Sequence, residues 1–456
     1  MTTPLPWNVV HVSLRDPLPD LELDPTVGGL LLVFWWDRLP LGQLSLPGSL
    51  LPVSSDQLLT SVASIIAPAV GQRLLKCGFD APLPVPADKQ PRRAPPLLSE
   101  VLALDRPLTS LSRSGCDETS TAAGPTVSVV VCTRNRPEHL ERCLASVSAL
   151  EPAPHEILVV DNDPSSGVTR RVTDRFQAVR YVAEPRAGLS IARNRGVLSC
   201  TGDIVAFTDD DVQVHAGWLD AIRSEFRNKD VTVLTGLVLP AELKTPAQQA
   251  FQSDALGWGW GYRVLDFDEA FFEATKRVGV PVWRIGAGAN MAFRREVFDR
   301  LGLFEERLGA GASGCSEDSE LWYRVLAERE RCRYSPAAVV FHYHRPDWKD
   351  LSDQLYSYMR GHVVALFVQF ERYRHWGNLY RAFVALPWFL LRIAVHACKR
   401  QIGRLLYGRA AKPLPQPVTP QILGALAGYG YYLRHRRQRS DGNRGSRVTR
   451  EQISAG

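Results

Sequence analysis

The chain has 456 residues, a length that predicts roughly two to four domains. Its 45% apolar and 22% charged residues are ordinary for a folded protein with a large core, and its net charge of +6 is too small to favour a nucleic-acid partner, so we expect none. The 8 cysteines include no Cys-x-x-Cys pair, which indicates reduced thiols in a cytosolic protein rather than disulfides or a zinc site.

The first 80 residues predict a small N-terminal α+β domain whose role the sequence does not assign. Leu30–Trp36 is strand-like, and Asp56–Leu75 has the pattern of a helix. The first residues lack the basic segment followed by an apolar segment that is typical of a signal peptide, so we expect a cytoplasmic protein. Residues 81–124, which are rich in proline, serine and threonine, have the composition of a linker.

Residues 125–345 alternate between short apolar runs and helical patterns. The apolar runs, each typical of a buried strand, are Val127–Cys132, Glu156–Val160, Val179–Val182 and Ile204–Thr208. Helical spacing between them predicts a mostly parallel, Rossmann-like α/β sheet with helices on both faces. Such a sheet binds ligands beyond the carboxyl ends of its strands.

An acidic turn, Asp209-Asp210-Asp211, follows the last of these strands directly. Three successive carboxylates repel one another unless a cation lies between them, and their oxygens suit Mg²⁺ or Mn²⁺ held together with phosphate oxygens. We therefore predict a metal and diphosphate site with Asp209 and Asp211 as ligands and Asp210 beside the nucleotide sugar. The alternative is a helix cap, which needs only one aspartate.

Polar residues also follow the first two predicted strands. Thr133, Arg134 and Asn135 end the first, and Asp161 and Asn162 end the second. Small polar and basic groups at strand ends suit a nucleotide, and a carboxylate accepts hydrogen bonds from a base or a ribose. An ordinary strand-to-helix turn explains either segment equally well.

Two glycine-containing segments predict further contacts with a nucleotide sugar. Gly188 precedes a helix start that carries Arg193 and Asn194, where N–H groups and a guanidinium favour an anion. Gly288 and Asn290 belong to a loop where the backbone can approach a sugar closely. A capped helix with solvated arginines and a tight loop into a strand are the structural alternatives.

The Glu317-Asp318 pair opens an amphipathic helix behind a glycine-rich segment. Asp318 falls on the buried stripe of that helix, which makes it a candidate general base, with Glu317 beside it. Ordinary first-turn acidity is the alternative. His342 follows a strand-like run and is a candidate third metal ligand or a structural histidine.

In order and spacing, these segments resemble the family 2 glycosyltransferases of the GT-A fold. The matching strings are VSVVVCTRNRP, VVDND, RAGLSIARNRG, FTDDD, GAGANMAFRR and GCSEDSELWYR. The resemblance implies an inverting, metal-dependent transfer from a nucleoside-diphosphate sugar with Mn²⁺ or Mg²⁺. It also implies that Asp161 contacts the base, Asp209 the ribose or metal, Asp211 the metal, and that Asp318 deprotonates the acceptor. The Gln-x-x-Arg-Trp motif of processive members is missing, which favours transfer of single sugars.

Residues 346–440 predict a helical region, and 441–456 a disordered basic tail. Apolar helices with aromatic residues and basic ends suit peripheral contact with anionic lipid at the inner face of the plasma membrane. A saccharide or a lipid-linked glycan of the cell envelope is then the expected acceptor. A helical packing domain is the alternative for this region, and a non-catalytic nucleotide-sugar binding protein or a sugar nucleotidyltransferase is the alternative for the whole chain.

Overall fold

A computed structural model gives the structure of most of the chain. It describes residues 5–22, 24–74, 79–80, 108–109, 111, 124–253, 261–407 and 417–436, and for residues 79–80 and 400–407 the backbone alone. Most of the predicted linker and the whole predicted tail lie outside these residues. The domain boundaries at residues 80, 124 and 345 stay predictions.

A three-stranded sheet and one long helix form the N-terminal part. These elements are β1 (Trp7–Ser13), β2 (Gly29–Trp36), β3 (Leu39–Pro47) and α1 (Ser55–Leu74). Strand β2 pairs in parallel with β1 and antiparallel with β3. The apolar side chains Leu32, Phe34, Leu58 and Val62 form the core between sheet and helix. The observed strand and helix each agree with the predicted bounds to within one residue.

A ten-stranded mixed sheet forms the centre of the molecule. Its strands are β4 (Phe79–Asp80), β5 (Val127–Thr133), β6 (Glu156–Asp161), β7 (Val179–Ala183), β8 (Ile204–Asp209), β9 (Val212–Val214), β10 (Val231–Pro240), β11 (Leu265–Phe267), β12 (Asn290–Arg294) and β13 (Arg331–His342). Their order is β4-β11-β13-β10-β12-β8-β5-β6-β7, with β9 on β13. The half from β8 to β7 is wholly parallel, whereas β12 pairs antiparallel with both β8 and β10.

Helices cover both faces of this sheet, which confirms the predicted α/β class. They are α2 (Pro137–Ser148), α3 (Val168–Thr173), α4 (Leu189–Ser199), α5 (Trp218–Glu225), α6 (Pro246–Ser253), α7 (Glu269–Thr275), α8 (Glu296–Leu301) and α9 (Glu317–Ala327). Helix α2 starts at Pro137 and buries Leu140, Cys143, Leu144 and Val147, the spacing of one helical face. Strand β5 is buried along its whole length because helices cover both of its sides.

The C-terminal part is helical. Its elements are α10 (Trp348–Tyr373), α11 (Trp376–Tyr380), a π-helical turn (Arg381–Ala385), α12 (Leu386–Tyr407) and α13 (Val418–His435). Helices α10 and α13 pack closely because Gly424 and Gly428 of α13 lie against the backbone of α10. Within the described residues, Trp376–Lys399 is long and apolar enough to cross a membrane, judged by length and composition alone.

Candidate active site

The acidic turn lies where β8 ends, and its three carboxylates differ in environment. The Asp209 side chain is 34% exposed, whereas those of Asp210 and Asp211 are almost fully buried. Asp210 accepts a hydrogen bond from Thr133 Oγ1 at 2.7 Å and one from Arg136 Nη1 at 2.9 Å. The end of β5 therefore holds the turn through Thr133 and through the start of α2.

Basic groups surround Asp211. Its carboxylate lies 3.2 Å from Arg136 Nη1, 3.4 Å from His342 Nε2 and 3.5 Å from Arg345 Nη2. Burial alone would raise the pKa of Asp211, but these three groups outweigh it and hold that pKa well below its usual range. Burial and the adjacent Asp211 charge raise the pKa of Asp210 to about 6.

The donor atoms at this turn fit a divalent ion that is shared with a ligand. In the described part of the chain, Asp209, Asp211 and His342 do not gather into a three-residue metal group, but Asp211 and His342 lie in contact. Magnesium binds through one or two protein carboxylates and fills its other positions with phosphate oxygens and water. The Asp211 carboxylate is such a ligand, and the adjacent His342 imidazole offers a nitrogen donor, which Mg²⁺ prefers less than oxygen.

A buried guanidinium joins the acidic turn to α9. Arg193, which is 2% exposed, donates to Glu317 Oε1 at 2.5 Å, to Asp209 Oδ1 at 3.1 Å and to the Gly288 carbonyl at 3.3 Å. A Cβ atom on Gly288 would lie 2.9 Å from Asp318 Oδ2 and 3.1 Å from Arg193 Nη2, so a side chain at this position would displace one of these two groups. Arg193 thus binds two protein carboxylates in this structure, and its contact with a nucleotide sugar stays a prediction.

Helix α9 brings Glu317 and Asp318 to the same place. Ser316, in the left-handed region at φ 72°, precedes them, and Asp318 accepts a hydrogen bond from the Ser319 N–H. Burial raises the pKa of Asp318 and raises that of Glu317 to about 7, although Arg193 opposes both shifts. Glu317 Oε2 is buried and lacks a hydrogen-bond partner among the described residues. Burial thus favours the protonated form of both carboxyl groups.

The Glu317 carboxyl makes stability depend on pH. Its pKa rises from 4.5 to about 7 on folding, so the folded protein holds a proton that the unfolded chain loses in this interval. The stabilisation from this bound proton is fully present below pH 4.5 and is lost as the pH rises through 7, at up to about 1.4 kcal/mol per pH unit. In Glu317→Gln we expect the unfolding free energy to decrease less as the pH rises. Urea unfolding at pH 5, 6 and 7 measures this dependence. An unchanged slope would contradict this assignment, and the exposed Glu296→Gln serves as control.

The predicted base-binding residues lie at the end of β6. Asp161 is fully buried and accepts hydrogen bonds from Tyr181 Oη at 2.9 Å and from the Asp163 N–H at 3.0 Å. Asn162 accepts from the Gly188 N–H at 2.8 Å and donates to the Arg186 carbonyl at 2.7 Å. Asn162 therefore fixes the segment that leads into α4.

The start of α4 is anchored within the protein. The Leu189 N–H donates to the Ala310 carbonyl at 2.8 Å, and Ser190 Oγ donates to the Leu308 carbonyl at 2.7 Å. Together with the Gly188 N–H that Asn162 binds, these contacts tie α4 to the loop before α9. The backbone N–H groups of Gly188 and Leu189, which the sequence offers for an anion contact, thus already donate hydrogen bonds within the protein.

The remaining predicted residues divide between the rim and the interior. Asn135 donates to Asp163 Oδ2 at 2.8 Å at the surface, with the exposed Arg134 beside it, 3.8 Å from the same carboxylate. Asn194 is buried and exchanges two hydrogen bonds with the Phe304 backbone. Asn290 is buried, accepts from Trp218 Nε1 and donates to two carbonyl groups. The two buried asparagines position β12 and the segment after α8.

Sequence reasoning missed three site residues. Arg136 and Arg345 neutralise Asp211, and Tyr181 binds Asp161. Arg136 stands in the same polar segment as Arg134, and Arg345 follows the His342–His344 run directly. The sequence could have indicated Arg136 and Arg345 only through their position beside candidate motifs. The contact of Arg136 with an acidic turn more than 70 residues away is visible only in the structure.

Residues 128–302 match the family model described as Glycosyl transferase family 2. The chain is 28% identical over 229 residues to a pre-mycofactocin glycosyltransferase of Mycobacterium tuberculosis, covering 49% of this chain and 44% of that protein. It is 34% identical over 187 residues to an uncharacterized glycosyltransferase of Mycobacterium bovis, covering 41% of this chain and 76% of that protein. The chain thus spans less than half of the first relative.

Among solved structures, the protein is similar to the mannosyltransferase PcManGT from Pyrobaculum calidifontis in complex with GDP-Man and Mn²⁺. The sequence identity is 20%, the TM-score is 0.44, and the match covers 71% of this chain and 93% of that one.

Proposed function

This chain belongs to glycosyltransferase family 2, and we propose that it transfers a sugar from a nucleoside-diphosphate donor to a hydroxyl acceptor with inversion. One observation carries the proposal: Arg193 joins the acidic turn, through Asp209, to the Glu317-Asp318 pair. The proposed diphosphate site and the proposed proton acceptor are therefore close together, at the strand ends where α/β sheets bind ligands.

In the proposed donor site, the nucleoside lies over the ends of β5 and β6. Thr133 and Asp161 mark these two ends, and Asn135 and Arg134 form the outer rim. Asp161 binds the base, held by Tyr181, while Asp209 and Asp210 lie on the ribose and diphosphate side. Asn162 does not bind the donor itself in this proposal; it positions the Gly188 segment beside the donor site by accepting the Gly188 N–H.

A divalent ion, Mg²⁺ or Mn²⁺, would be held by Asp211 and His342, with Asp209 close to the ribose. When bound, such an ion neutralises charge on the departing diphosphate. Arg136 and Arg345 already contact the Asp211 carboxylate, and their guanidinium groups add positive charge at the same place.

Asp318 accepts the proton in the proposed reaction. The acceptor hydroxyl loses its proton to an Asp318 carboxylate oxygen as its own oxygen bonds to the anomeric carbon. The bond from that carbon to the diphosphate oxygen breaks on the opposite face, and the nucleoside diphosphate leaves with the electron pair. One displacement inverts the anomeric centre, and burial raises the pKa of Asp318, which makes it a stronger proton acceptor than an exposed aspartate.

Asp211→Asn tests the metal part of this proposal. We expect Mn²⁺ to tighten binding of UDP or GDP to the parent protein, and the variant to lose at least about tenfold of that effect because a charged ligand is gone. Isothermal titration with and without Mn²⁺ measures it, with the exposed Asp230→Asn as control. Unchanged metal-dependent binding in Asp211→Asn would place the metal elsewhere.

We further propose that the C-terminal helices rest on an anionic membrane surface at the cytoplasmic face. One side of α11 and α12 carries an exposed apolar stripe, formed by Trp376, Tyr380, Phe383, Val384, Trp388, Leu391 and Val395. These residues recur at three- and four-residue spacing, so they share one helix face. The opposite face, with Ala382, Leu386 and Leu390, packs on the protein.

Charge supports lipid as the occupant of the apolar stripe. Residues 372–440 contain 13 lysines and arginines and no aspartate or glutamate. Indole and phenol rings at 376, 380 and 388 suit the boundary between headgroups and acyl chains. An enzyme held in this way fits a saccharide or lipid-linked acceptor of the cell envelope.

Vesicle binding tests the apolar stripe. We expect Trp388→Ser/Leu391→Ser to weaken binding to phosphatidylglycerol vesicles about tenfold or more, because two apolar side chains no longer enter the bilayer. Leu391 is 54% exposed and Leu59, on α1, is 57% exposed, so Leu59→Ser is a matched control. Sedimentation with vesicles measures the affinity. An equal loss of vesicle affinity in both variants would contradict peripheral binding through the apolar stripe. So would a protein that stays with the vesicles after alkaline extraction, as a membrane-spanning helix does.

A further inference from the structure

A cavity of about 430 Å³ opens between the acidic turn and the C-terminal helices. Its lining comes from two parts of the chain: Arg136 and Arg345, which contact the acidic turn, and Asp350, Asp353 and Gln354 of α10, together with Gly314. Its volume falls within the usual range for a small-molecule site. Helix α10 lies wholly outside the residues that match the family model.

The basic wall of this cavity belongs to the proposed diphosphate site. Arg136 and Arg345 both contact Asp211, at 3.2 Å and 3.5 Å. The cavity therefore begins where the leaving group of the proposed reaction would lie, and a molecule inside it would be close to the donor.

The glycine at the cavity edge connects it with the proposed base. Gly314 stands four residues before Asp318, and a Cβ atom on it would lie 2.8 Å from the Ser357 carbonyl oxygen of α10. Arg360 of α10 donates to the Ser313 carbonyl at 2.6 Å. These contacts hold the middle of α10 against the segment that precedes Asp318.

The polar wall comes from one face of α10. Asp350, Asp353, Gln354 and Ser357 follow the three- and four-residue spacing that places side chains on one side of a helix. Gln354 Nε2 donates to Tyr358 Oη at 2.8 Å, which orients the amide. Carboxylates and an amide in one row are suited to accept hydrogen bonds from neighbouring sugar hydroxyls.

We propose that this face of α10 is the acceptor subsite and that it binds an uncharged saccharide through Asp350, Asp353 and Gln354. The inference rests on the proposed glycosyl transfer, which it extends by naming the acceptor class. Lys349 pairs with Asp353 at 3.1 Å, so Asp350 supplies the negative charge on the α10 part of the lining. An acceptor ring that carries a carboxylate is repelled beside Asp350 and binds poorly there. The same cavity thus separates the diphosphate, on the arginine side, from the acceptor, on the aspartate side.

Ligand-observed NMR with the full-length protein tests this subsite without relying on turnover. The probes are the 4-nitrophenyl β-D-glucoside, galactoside and mannoside, with 4-nitrophenyl β-D-glucuronide as the anionic counterpart. We expect at least one hexoside to bind and the glucuronide to bind about tenfold or more weaker. Asp350→Ala/Gln354→Ala should weaken hexoside binding at least about tenfold, since charged hydrogen bonds are lost.

Asp299→Ala, which changes an exposed first-turn aspartate of α8, is the matched control. Asp353→Ala is a second variant, at a side chain that is 70% exposed. Unchanged hexoside binding in both α10 variants, equal binding of the glucuronide, or no hexoside binding to the parent protein would each overturn the inference. Release of nucleoside diphosphate without an acceptor reports on the proposed function separately, so the two failures are distinguishable.

Discussion

Asp318→Asn is expected to lower the rate of nucleoside diphosphate release about 1,000-fold, because a positioned general base typically contributes factors of 10²–10⁴. Asparagine has the same shape and can still accept the Ser319 N–H, so the backbone at the start of α9 should not change. Burial disfavours the charged form of Asp318, and the neutral amide should therefore leave the unfolding free energy equal or higher.

Initial rates with a hydrolysed donor, with and without a 4-nitrophenyl glycoside, measure this effect. Donor affinity, determined by titration, should stay within about threefold of the parent, since in the proposed reaction Asp318 takes the acceptor proton and binds neither the nucleoside nor the diphosphate. Asp299→Asn provides the same chemical change at an exposed helix start. A variant at position 318 that keeps more than a tenth of the parent rate would move the base to another residue.

Arg193→Met is expected to destabilise the fold by about 3–5 kcal/mol, because it leaves the buried Glu317 carboxylate without its partner. Asp209 loses the same partner but is 34% exposed and can be hydrated. Without Arg193 the pKa of Glu317 rises further, so the penalty should shrink at pH 5, where Glu317 is protonated, and grow at pH 8. Urea unfolding at the two pH values measures this difference.

A double variant separates charge from packing at the same position. Arg193→Met/Glu317→Gln removes both buried charges, and a buried ion pair replaced as a whole often costs little stability. We therefore expect it to be more stable than Arg193→Met alone at pH 8. If the double variant is as unstable as the single one, the stabilising contribution of Arg193 comes from packing and from its bond to the Gly288 carbonyl.

Local patterns in the sequence predicted the parallel half of the sheet well. The apolar run before the acidic turn became β8, and the helical pattern after the first predicted strand became α2, Pro137–Ser148. Both elements are defined by a continuous apolar run or by helical spacing with a proline at the start, signals that act over a few residues. Their tertiary environment agrees with those signals.

The antiparallel half of the sheet was not predictable in the same way. The segment before Asn290 has the glycines of a loop, but Asn290–Arg294 forms β12 between β8 and β10. Its place depends on pairing with residues more than 50 positions away, such as Phe293 with Val233. Short-range composition carries no information on such pairing.

The same limit explains the different outcome for Arg193. Its position in the first turns of a helix predicts an anion contact, and the contact exists, but the anion is the Glu317 side chain 124 residues later. In the structure Asp318 and the acidic turn both lie close to Arg193, and sequence reasoning predicts that they belong to one site. It could not identify the residue that joins them, because burial decides whether an arginine faces solvent or a carboxylate.

The central claim is cleavage of a nucleoside-diphosphate sugar at the acidic turn, and release of free nucleoside diphosphate tests it most directly. The full-length protein is incubated with UDP- and GDP-hexoses, with Mg²⁺ or Mn²⁺ or with a chelator, and with the 4-nitrophenyl hexosides. Metal-dependent release from at least one donor, abolished in Asp211→Asn and lowered about 1,000-fold in Asp318→Asn, is the expected result. Failure to bind or cleave any donor, or equal release in the two variants and the parent protein, would contradict it.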